Sequence, residues 1–342
     1  MRMRSVAIIG ASGFTGAELL RICAQHPQLE VICATGESQA GVRAADLYPG
    51  LAAAYPDLVF ETFDETRLDG VDVAFLGLPH EASMALAPQL TERVGCVVDL
   101  SAAYRLKDAD RYPEYCGFEH DQPELLAAAV YGLPELHRDE LPGASLIATP
   151  GCYVTAATLA VRPLVDAGVI ETAGVIVDAA SGVTGAGRKA DYGYSFTTID
   201  ENFAAYGLLH HRHTPEMEQE IGAQVLFTPH LAPMNRGILA TCYARPVSGA
   251  ELSTAGLLDL LRARWVGEPF MVVTDGLPTT KATLGSNAVH VTARFDERTR
   301  TVIAIAALDN LAKGASGGAV QAANVALGLD ETAGLTKVGV AP

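Results

Sequence analysis

The sequence lacks the features that direct a chain to membranes or to nucleic acid. None of its apolar runs approaches the ~18–20 residues that a membrane-spanning helix requires. Basic residues are scarce: 24 Lys and Arg stand against 40 Asp and Glu, and the formal net charge of −16 disfavours nucleic acid and anionic lipid as partners. No internal repeat or low-complexity linker is present. An anionic substrate must therefore meet a local cluster of basic side chains.

The six cysteines are scattered singly and form no CxxC pair. A chain of this length does not depend on disulfides, and no zinc-site spacing is present. The amino terminus, MRMRSVAIIGASG, carries a short apolar run that leads into a glycine turn, which is typical of a first strand rather than of a signal peptide. We therefore expect reduced thiols, no metal site and a cytoplasmic location.

The first part of the chain alternates short apolar runs with segments of helical periodicity. With 342 residues the chain has room for two domains, because domains usually contain ~100–200 residues. Buried strands are predicted at 6–9, 29–34, 71–76, 95–100 and 146–149, and helices near 14–25 and 81–93. Such alternation favours a parallel sheet covered on both faces. It predicts a Rossmann-type, doubly wound α/β fold.

Beyond Cys152 the pattern becomes that of a second, α+β domain with a mixed sheet. Strands are predicted at 175–179, 238–243, 271–274, 289–295 and 302–307, and helices at 153–165, 257–265 and 315–327. The polar segment Asp296–Arg300 predicts an antiparallel hairpin between the last two strands. The predicted division assigns 1–151 and 315–342 to a dinucleotide-binding domain, and 152–314 to a catalytic, substrate-binding and dimerisation domain.

A glycine-rich motif, GASGFTG, follows the first predicted strand. It is a variant of the dinucleotide-binding fingerprint, in which Gly10 permits the tight turn, Gly13 lets the backbone approach a pyrophosphate, and Gly16 allows close packing of helix on sheet. The amino terminus of the following helix offers N–H groups and a partial positive charge to an anion. The position between a strand and a helix favours a nucleotide site over a structural turn.

The end of the second predicted strand bears on the choice of nicotinamide cofactor. Glu37 could take the ribose hydroxyls of NAD, whereas Ser38 and Arg43 could hold the 2′-phosphate of NADP. These residues by themselves favour neither cofactor.

One cysteine, Cys152, stands in a setting that the other five lack. It follows Pro150 and Gly151, which predict a turn after a strand, and helical residues come next. A thiol at a helix amino terminus has a lowered pKa and forms the reactive thiolate more readily. Cys23 and Cys33 instead fall on the apolar pattern and are predicted to lie in the core. We interpret Cys152 as a candidate nucleophile.

A histidine-rich stretch, LLHHRHTPE, contains His210, His211, Arg212 and His213. An imidazole beside a guanidinium stays neutral at pH 7 and can act as acid or base. No Cys or carboxylate is spaced to complete a tetrahedral metal site with these residues. Thr214 is the predicted cap of a helix whose first position is Pro215, and plain packing accounts for His210.

Three polar loops also follow predicted strands or the hairpin. DLSAAYR, residues 99–105, brings Arg105 to a strand end, where doubly wound sheets bind ligands. SGVTGAGRK spans Ser181–Lys189, and DNLAKGASGGAVQ spans Asp309–Gln321. Each loop, taken alone, is at least equally consistent with a structural turn.

Taken together, these motifs give the chain a specific resemblance. It resembles the N-acetyl-γ-glutamyl-phosphate reductase family, the arginine-biosynthesis member of the aspartate-semialdehyde dehydrogenase-like group. The matching elements occur in the family's order from residue 10 to residue 321: GASGFTG, LPH (78–80), DLSAAYR, YGLPEL (131–136), PGCY (150–153), SGVTGAGR, HRHTPE (211–216), RGILAT (236–241) and DNLAKGASGGAVQ. The ordered set is far more specific than any one motif.

The resemblance implies reduction of N-acetyl-γ-glutamyl phosphate by NADPH through a thioester on Cys152, with His213 as acid and base. It implies a homodimer or homotetramer, a phosphate contact from Arg105, and substrate contacts from His211 and Arg212. It favours NADP(H) over NAD. The implied cofactor contacts are Gly10, Ser12, Gly13, Phe14, Thr15, Gly16, Ser38, Arg43, Pro79, Ser181 and Asn310.

Two positions depart from the family's usual pattern, and two rival functions stay open. Glu81 replaces the glycine that often follows LPH, and Ala103 and Tyr104 replace an acid and a phenylalanine; we expect these positions on the cofactor side of the site. N-acetyl-aminoadipyl-phosphate reductase of lysine biosynthesis shares the mechanism, and one extra methylene changes binding by only ~1–3 kcal/mol. A non-catalytic dinucleotide sensor needs the glycine loop but no nucleophile beside a histidine.

Overall fold

The computed structural model of the chain describes residues 2–188 and 191–340. Lys189, the last residue of the predicted SGVTGAGRK loop, lies outside them. The strands are β1 (Arg4–Ile9), β2 (Leu29–Ala34), β3 (Val73–Leu76), β4 (Val97–Asp99), β5 (Val130–Tyr131), β6 (Leu146–Ala148), β7 (Val175–Gly182), β8 (Ala204–Ala205), β9 (Val225–Ala232), β10 (Ile238–Ala244), β11 (Met271–Val273), β12 (Val289–Asp296) and β13 (Thr301–Leu308).

The α-helices are spread over the whole chain, and several are single turns. They are α1 (Phe14–Cys23), α2 (Ala44–Leu47), α3 (His80–Thr91), α4 (Tyr112–Cys116), α5 (Pro123–Ala128), α6 (Pro134–His137), α7 (Cys152–Asp166), α8 (Phe196–Ile199), α9 (His213–Ile221), α10 (Thr254–Arg264), α11 (Thr280–Thr283) and α12 (Gly317–Ala326). Within the described ranges, every helix is too short or too polar to span a lipid bilayer.

The chain divides into two compact units. Unit 1 comprises Met1–Pro150 and Ala315–Leu335, and unit 2 comprises Gly151–Gly314 and Thr336–Pro342. The carboxyl-terminal tail thus groups with unit 2, although the sequence prediction assigns 315–342 to the first domain. The physical reason is backbone pairing: the N–H of Asn287 donates to the carbonyl of Thr336 (2.8 Å), and the N–H of Val340 donates to that of Leu284 (2.7 Å).

Unit 1 is a six-stranded parallel sheet with the order β2-β1-β3-β4-β6-β5. Alternate residues of β1 enter two separate apolar cores, Val6 and Ile8 on one face and Ala7 and Ile9 on the other. The first core includes residues of α1 and α12, and the second includes residues of α3. Helices therefore cover both faces, and the predicted doubly wound fold is confirmed. The strand order reverses between β1 and β3, which is where such sheets bind ligands.

Unit 2 is a seven-stranded mixed sheet with the order β11-β12-β13-β10-β7-β9-β8. The predicted hairpin is confirmed, because β12 and β13 pair antiparallel from His290–Ala307 to Asp296–Thr301. Helices α7, α9 and α10 pack against this sheet. Along β7, Val175, Val177 and Ala179 are buried, whereas Ile176 is 38% exposed. One face of the sheet thus carries the core, and the other carries accessible apolar side chains.

Candidate active site

The candidate nucleophile, Cys152, is the first residue of α7, as the turn-then-helix pattern predicts. Gly151 occupies the cap position with an extended backbone, and no side chain caps the helix. The first turn of α7 contains no acidic residue. The partial positive charge of the helix amino terminus therefore acts on the thiol, which is partly accessible.

His213 lies directly against the backbone that precedes Cys152. A β-carbon built on Gly151 would come within 2.5 Å of Nε2 of His213 and within 2.8 Å of its Cε1. The ring of Tyr153, the residue after Cys152, has its centroid 5.9 Å from that of His213. The structure therefore brings the two predicted catalytic residues together, and Gly151 is glycine because only a hydrogen fits beside the imidazole.

A second imidazole, that of His211, packs beside His213 with its ring centroid 4.7 Å away. Its Nδ1 accepts a hydrogen bond from the backbone N–H of His213 (3.1 Å). Burial, together with the charge of Arg212, lowers the pKa of His211 to about 4. His211 is therefore neutral at pH 7, which is the state that lets Nδ1 accept this bond.

Helix α9 begins at His213, whereas Thr214 is the predicted cap. The cap position belongs to Arg212, which makes no side-chain capping bond. Nδ1 of His211 instead satisfies one of the amide groups that the helix start leaves without an internal partner. The prediction that plain packing accounts for His210 is wrong, because that side chain is exposed.

Two tyrosines complete the surroundings of Cys152. The hydroxyl of Tyr206 donates to that of Tyr153 (3.2 Å), which in turn donates to the carbonyl of His230 (2.9 Å). Burial raises the pKa of Tyr206 to about 12, and burial likewise raises that of Tyr153. Both phenols are therefore neutral at physiological pH, and neither supplies a negative charge beside the thiol.

A second glycine, Gly314, lies against Cys152. A β-carbon built on Gly314 would lie 2.9 Å from the β-carbon of Cys152. A side chain at Gly314 would therefore displace the nucleophile. The contact was not predicted, because 162 positions separate the two residues in the sequence.

Four of the other five thiols are poor competitors for Cys152. Cys23 and Cys33 are buried, as predicted. Burial raises the pKa of Cys23, Cys96 and Cys242 to about 12 each, and it also raises that of Cys33. Because the thiolate is the nucleophilic form, these four residues are inert near neutral pH.

The glycine loop of unit 1 has the geometry of an anion cradle. Gly10 has φ +86°, and a β-carbon there would meet the carbonyl oxygen of Gly77 at 2.4 Å. At Gly16 a β-carbon would meet the backbone of Ala11 at 2.4 Å, so glycine is required there too. At Gly13 the nearest atom is the carbonyl oxygen of Gly10 at 3.5 Å. Gly13 also starts α1 without a side-chain cap, which leaves the helix amino terminus suited to a pyrophosphate.

The residues predicted for the adenosine ribose lie after β2, close to the glycine loop. Ser12 Oγ donates to the carbonyl of Gly36 (3.5 Å), which links the two segments. Ser38 lies in an exposed turn. Arg43 pairs with Asp46 through two hydrogen bonds, Nε to Oδ2 (2.9 Å) and Nη2 to Oδ1 (2.7 Å). Half of the Arg43 side chain is accessible to a ligand.

The loops after β3 and β4 are joined by His80, whose Nδ1 accepts the N–H of Ala102 (2.9 Å). Pro79 caps α3 just before it. Ala103 and Tyr104, the departures expected on the cofactor side, are both buried. The Tyr104 hydroxyl donates to the carbonyl of Met84 (3.0 Å), an internal contact.

Arg105 is buried, with 7% of its surface exposed. Its Nε donates to the carbonyl of Thr149 (2.6 Å), and its Nη2 donates to that of Leu100 (2.9 Å). The guanidinium therefore anchors the end of β6, three residues before Cys152. Sequence reasoning predicted the phosphate contact but not this anchoring contact.

Ser181 and Asn310, predicted as cofactor contacts, belong to unit 2 rather than to the unit of the glycine loop. Asn310 Oδ1 accepts the N–H of Gly237 (2.8 Å), and its Nδ2 donates to Thr184 (3.0 Å). Ser181 is buried and hydrogen-bonds Tyr153. These side chains therefore organise the SGVTGAG loop beside the nucleophile helix.

The described residues contain no group of three or more His, Cys, Asp and Glu side chains that could hold a metal ion. The chemistry available around Cys152 is that of a thiol, a histidine pair, two tyrosines and a helix amino terminus.

The comparisons with known families cover both units. Residues 5–144 match the family model described as the NAD binding domain of semialdehyde dehydrogenase. Residues 152–310 match the model described as the semialdehyde dehydrogenase dimerisation domain.

Curated relatives match over nearly the full chain. The N-acetyl-γ-glutamyl-phosphate reductase of Symbiobacterium thermophilum is 47% identical over 98% of each chain. That of Pelobacter propionicus is 45% identical over 99% of this chain and 100% of the relative.

Solved structures share the fold. Aspartate semialdehyde dehydrogenase II of Vibrio cholerae, in complex with ASA, has a TM-score of 0.71 and 18% identity, covering 95% of this chain and 98% of that one. Aspartate semialdehyde dehydrogenase of Candida albicans, with NADP, has a TM-score of 0.67 and 16% identity, covering 94% and 99%.

Proposed function

Because the chain belongs to the N-acetyl-γ-glutamyl-phosphate reductase family, we propose that it reduces N-acetyl-γ-glutamyl phosphate with NADPH. The products are N-acetylglutamate semialdehyde, phosphate and NADP, in arginine biosynthesis. The observation that carries the proposal is the placement of Cys152 at the start of α7 with the imidazole of His213 against Gly151.

The first chemical step is acyl transfer to sulfur. The Cys152 thiolate attacks the acyl carbon, the bond from that carbon to the phosphate oxygen breaks, and phosphate leaves with the electron pair. An acyl phosphate is already activated, so the thiolate needs no further base. The product is a thioester on Cys152.

The second step needs a proton at one oxygen. The nicotinamide cofactor, when bound, would supply a hydride to the acyl carbon of the thioester, and the carbonyl oxygen would become an oxyanion. His213 donates a proton to that oxygen. It accepts the proton again as the carbon–sulfur bond breaks and the carbonyl of the aldehyde forms. The N–H groups at the start of α7 stabilise the oxyanion.

Unit 1 is the unit that holds NADP(H) in this proposal. Gly10, Gly13 and Gly16 form the cradle for the pyrophosphate, and the backbone from Ser12 to Thr15 lines it. Ser38 and Arg43 are the proposed partners of the 2′-phosphate, and Pro79 lies at the neighbouring strand end. For Arg43 to bind that phosphate it must share or release Asp46.

The proposal is tested by running the reaction backwards. Semialdehyde, phosphate and NADP should give NADPH, seen as absorbance at the nicotinamide band, and omission of phosphate should stop the turnover. The same assay with the homologous aminoadipate semialdehyde measures the discrimination between chain lengths. Absence of NADPH formation with both aldehydes would reject the reductase function.

We expect Arg105→Leu to raise the KM for phosphate in the reverse reaction far more than the KM for NADP. Loss of a charge-assisted contact costs ~1.5–3 kcal/mol, about 10- to 100-fold in affinity. Because Arg105 also binds the carbonyls of Leu100 and Thr149, thermal unfolding must be followed in parallel. A lower melting temperature with an unchanged KM for phosphate would show that Arg105 stabilises the fold and does not bind phosphate.

We propose a cytoplasmic homodimer or homotetramer that forms through the open face of the unit 2 sheet. On this face Leu226 pairs with Ile176, Ile176 with Tyr243, and Tyr243 with Ile303 on neighbouring strands. Leu226 is 48% exposed and Ile176 38% exposed. A row of accessible apolar side chains on a sheet is typical of a surface that a second copy covers.

We expect Leu226→Arg to weaken self-association strongly. In a twofold interface the substitution occurs twice, and a buried unpaired charge costs ~3 kcal/mol or more. Light scattering after size exclusion measures the mass. Val266→Arg is the matched control, because Val266 is 79% exposed and lies in the loop after α10. Equal masses for both variants and the wild type would place the interface elsewhere.

A further inference from the structure

Glu216 lies one helical turn after His213 on α9, and its carboxyl group is buried with 1% of the residue exposed. Its Oε1 accepts a hydrogen bond from the backbone N–H of Gly151 (2.8 Å). Buried carboxyl groups are costly unless they are hydrogen-bonded. The hydrogen bond therefore stabilises the buried carboxyl group and holds the amide of Gly151, the residue before Cys152.

The backbone of Gly151 is held by contacts at its N–H, its carbonyl and its α-carbon. Its N–H binds Glu216, and its carbonyl accepts both the N–H of Thr155 (2.9 Å) and the Thr155 hydroxyl (3.2 Å). The imidazole of His213 lies against its α-carbon. Neither the turn nor the helix start can rotate without breaking one of these contacts.

From this arrangement we infer that Glu216 is a positioning residue, which couples the amino terminus of the Cys152 helix to the amino terminus of the His213 helix. It does so without contacting the substrate. In this role Glu216 keeps the thiol and the imidazole at one fixed separation through acylation and reduction. The kinetic consequence of the inference rests on the proposed function.

The bond also limits which amides can stabilise the oxyanion. Because Glu216 takes the N–H of Gly151, that group is not a donor to the reacting oxygen. The helix leaves the N–H groups of Tyr153 and Val154 without acceptors four residues earlier in the same helix. The oxyanion contact is therefore made by amides from Cys152 onward rather than by that of Gly151.

A second hydrogen bond between the same two helices provides a control. Arg162, on the third turn of α7, donates from Nη1 to the carbonyl of Glu220 on α9 (2.9 Å). This contact joins α7 and α9 away from Cys152. Arg162→Met should lower the melting temperature and leave the chemistry at Cys152 unchanged.

The test compares Glu216→Gln with Glu216→Ala in the full-length protein. Both variants lack the ionisable carboxyl group, and only the glutamine keeps an oxygen that accepts the Gly151 N–H. We expect Glu216→Ala to lose ~10- to 100-fold in kcat relative to Glu216→Gln, because a 1 Å misplacement has an effect of that size. The KM for NADP should be equal in the two variants.

Alkylation of Cys152 by iodoacetamide, followed by peptide mass mapping, gives a readout that needs no substrate. The two variants should differ in alkylation rate at one fixed pH, whereas Arg162→Met should match the wild type. If Glu216→Ala does not fold, Glu216→Asp takes its place, because the shorter side chain does not reach the amide. Equal kcat and equal alkylation rates for the alanine and glutamine variants would overturn the inference.

Failure of the proposed function gives a different result. If the wild-type protein had no reductase activity, kcat could not be compared, but the difference in alkylation rate between the two variants would persist. Conversely, an active wild type with identical variants would leave the reductase function intact and reject the role of Glu216.

Discussion

Cys152→Ala should abolish both acyl transfer and reduction. The thiol is the only protein group in the proposal that forms a bond to the acyl carbon, and alanine offers no replacement. Rapid quench with N-acetyl-γ-glutamyl phosphate in the absence of NADPH, followed by mass spectrometry, should show an acyl adduct on the wild type and none on the variant. NADPH binding, followed by fluorescence, should be unchanged because unit 1 is intact.

Cys242→Ala is the control for this experiment. Cys242 lies on β10 in the same unit, but it is buried and its pKa is raised to about 12 by burial. Its loss should affect stability alone and leave the adduct in place. Residual reduction by the Cys152 variant at more than a trace level would contradict the thioester route.

His213→Asn should separate the two chemical steps. We expect it to retain acylation of Cys152 yet lose ~10²–10⁴-fold in the hydride step, the usual contribution of a general acid. Rapid quench measures the first step, and single-turnover oxidation of NADPH measures the second. The imidazole of His213 is in place for this role, because it lies against Gly151, the residue before Cys152.

His210→Asn is the matched control, because His210 belongs to the same histidine cluster but is exposed. Its kinetics should equal those of the wild type. A His213 variant that formed no acyl adduct would show that the histidine activates the thiol instead. Cys152 and His213 would then act together in the acylation step as a thiol–imidazole pair, rather than in separate steps.

Local patterns predicted much of the fold and part of the candidate site. GASGFTG predicted the β1–loop–α1 unit because its glycines are required by contacts within a few residues or with the adjacent strand. The PGC turn predicted the start of α7 for the same reason. Both features depend on backbone geometry that a short segment imposes on itself.

Other features depend on contacts distant in sequence and were missed. Strand β9 contains Pro229, and a proline normally argues against a strand; here the residue pairs with Ala179 of β7. Glu216 belongs to the HRHTPE motif, but its contact was not predicted, because its partner Gly151 is 65 positions away. The cap of α9 was misassigned to Thr214 since the hydrogen bond comes from the His211 ring, an uncommon capping group.

The neutral state of His211 determines how the enzyme's pH dependence is to be interpreted. With its pKa at about 4, this ring does not change its charge over the range in which reductase rates are measured. The ring of His211 therefore stays neutral beside the imidazole of His213. An ionisation near neutrality in a profile of kcat against pH is therefore not that of the His211 ring.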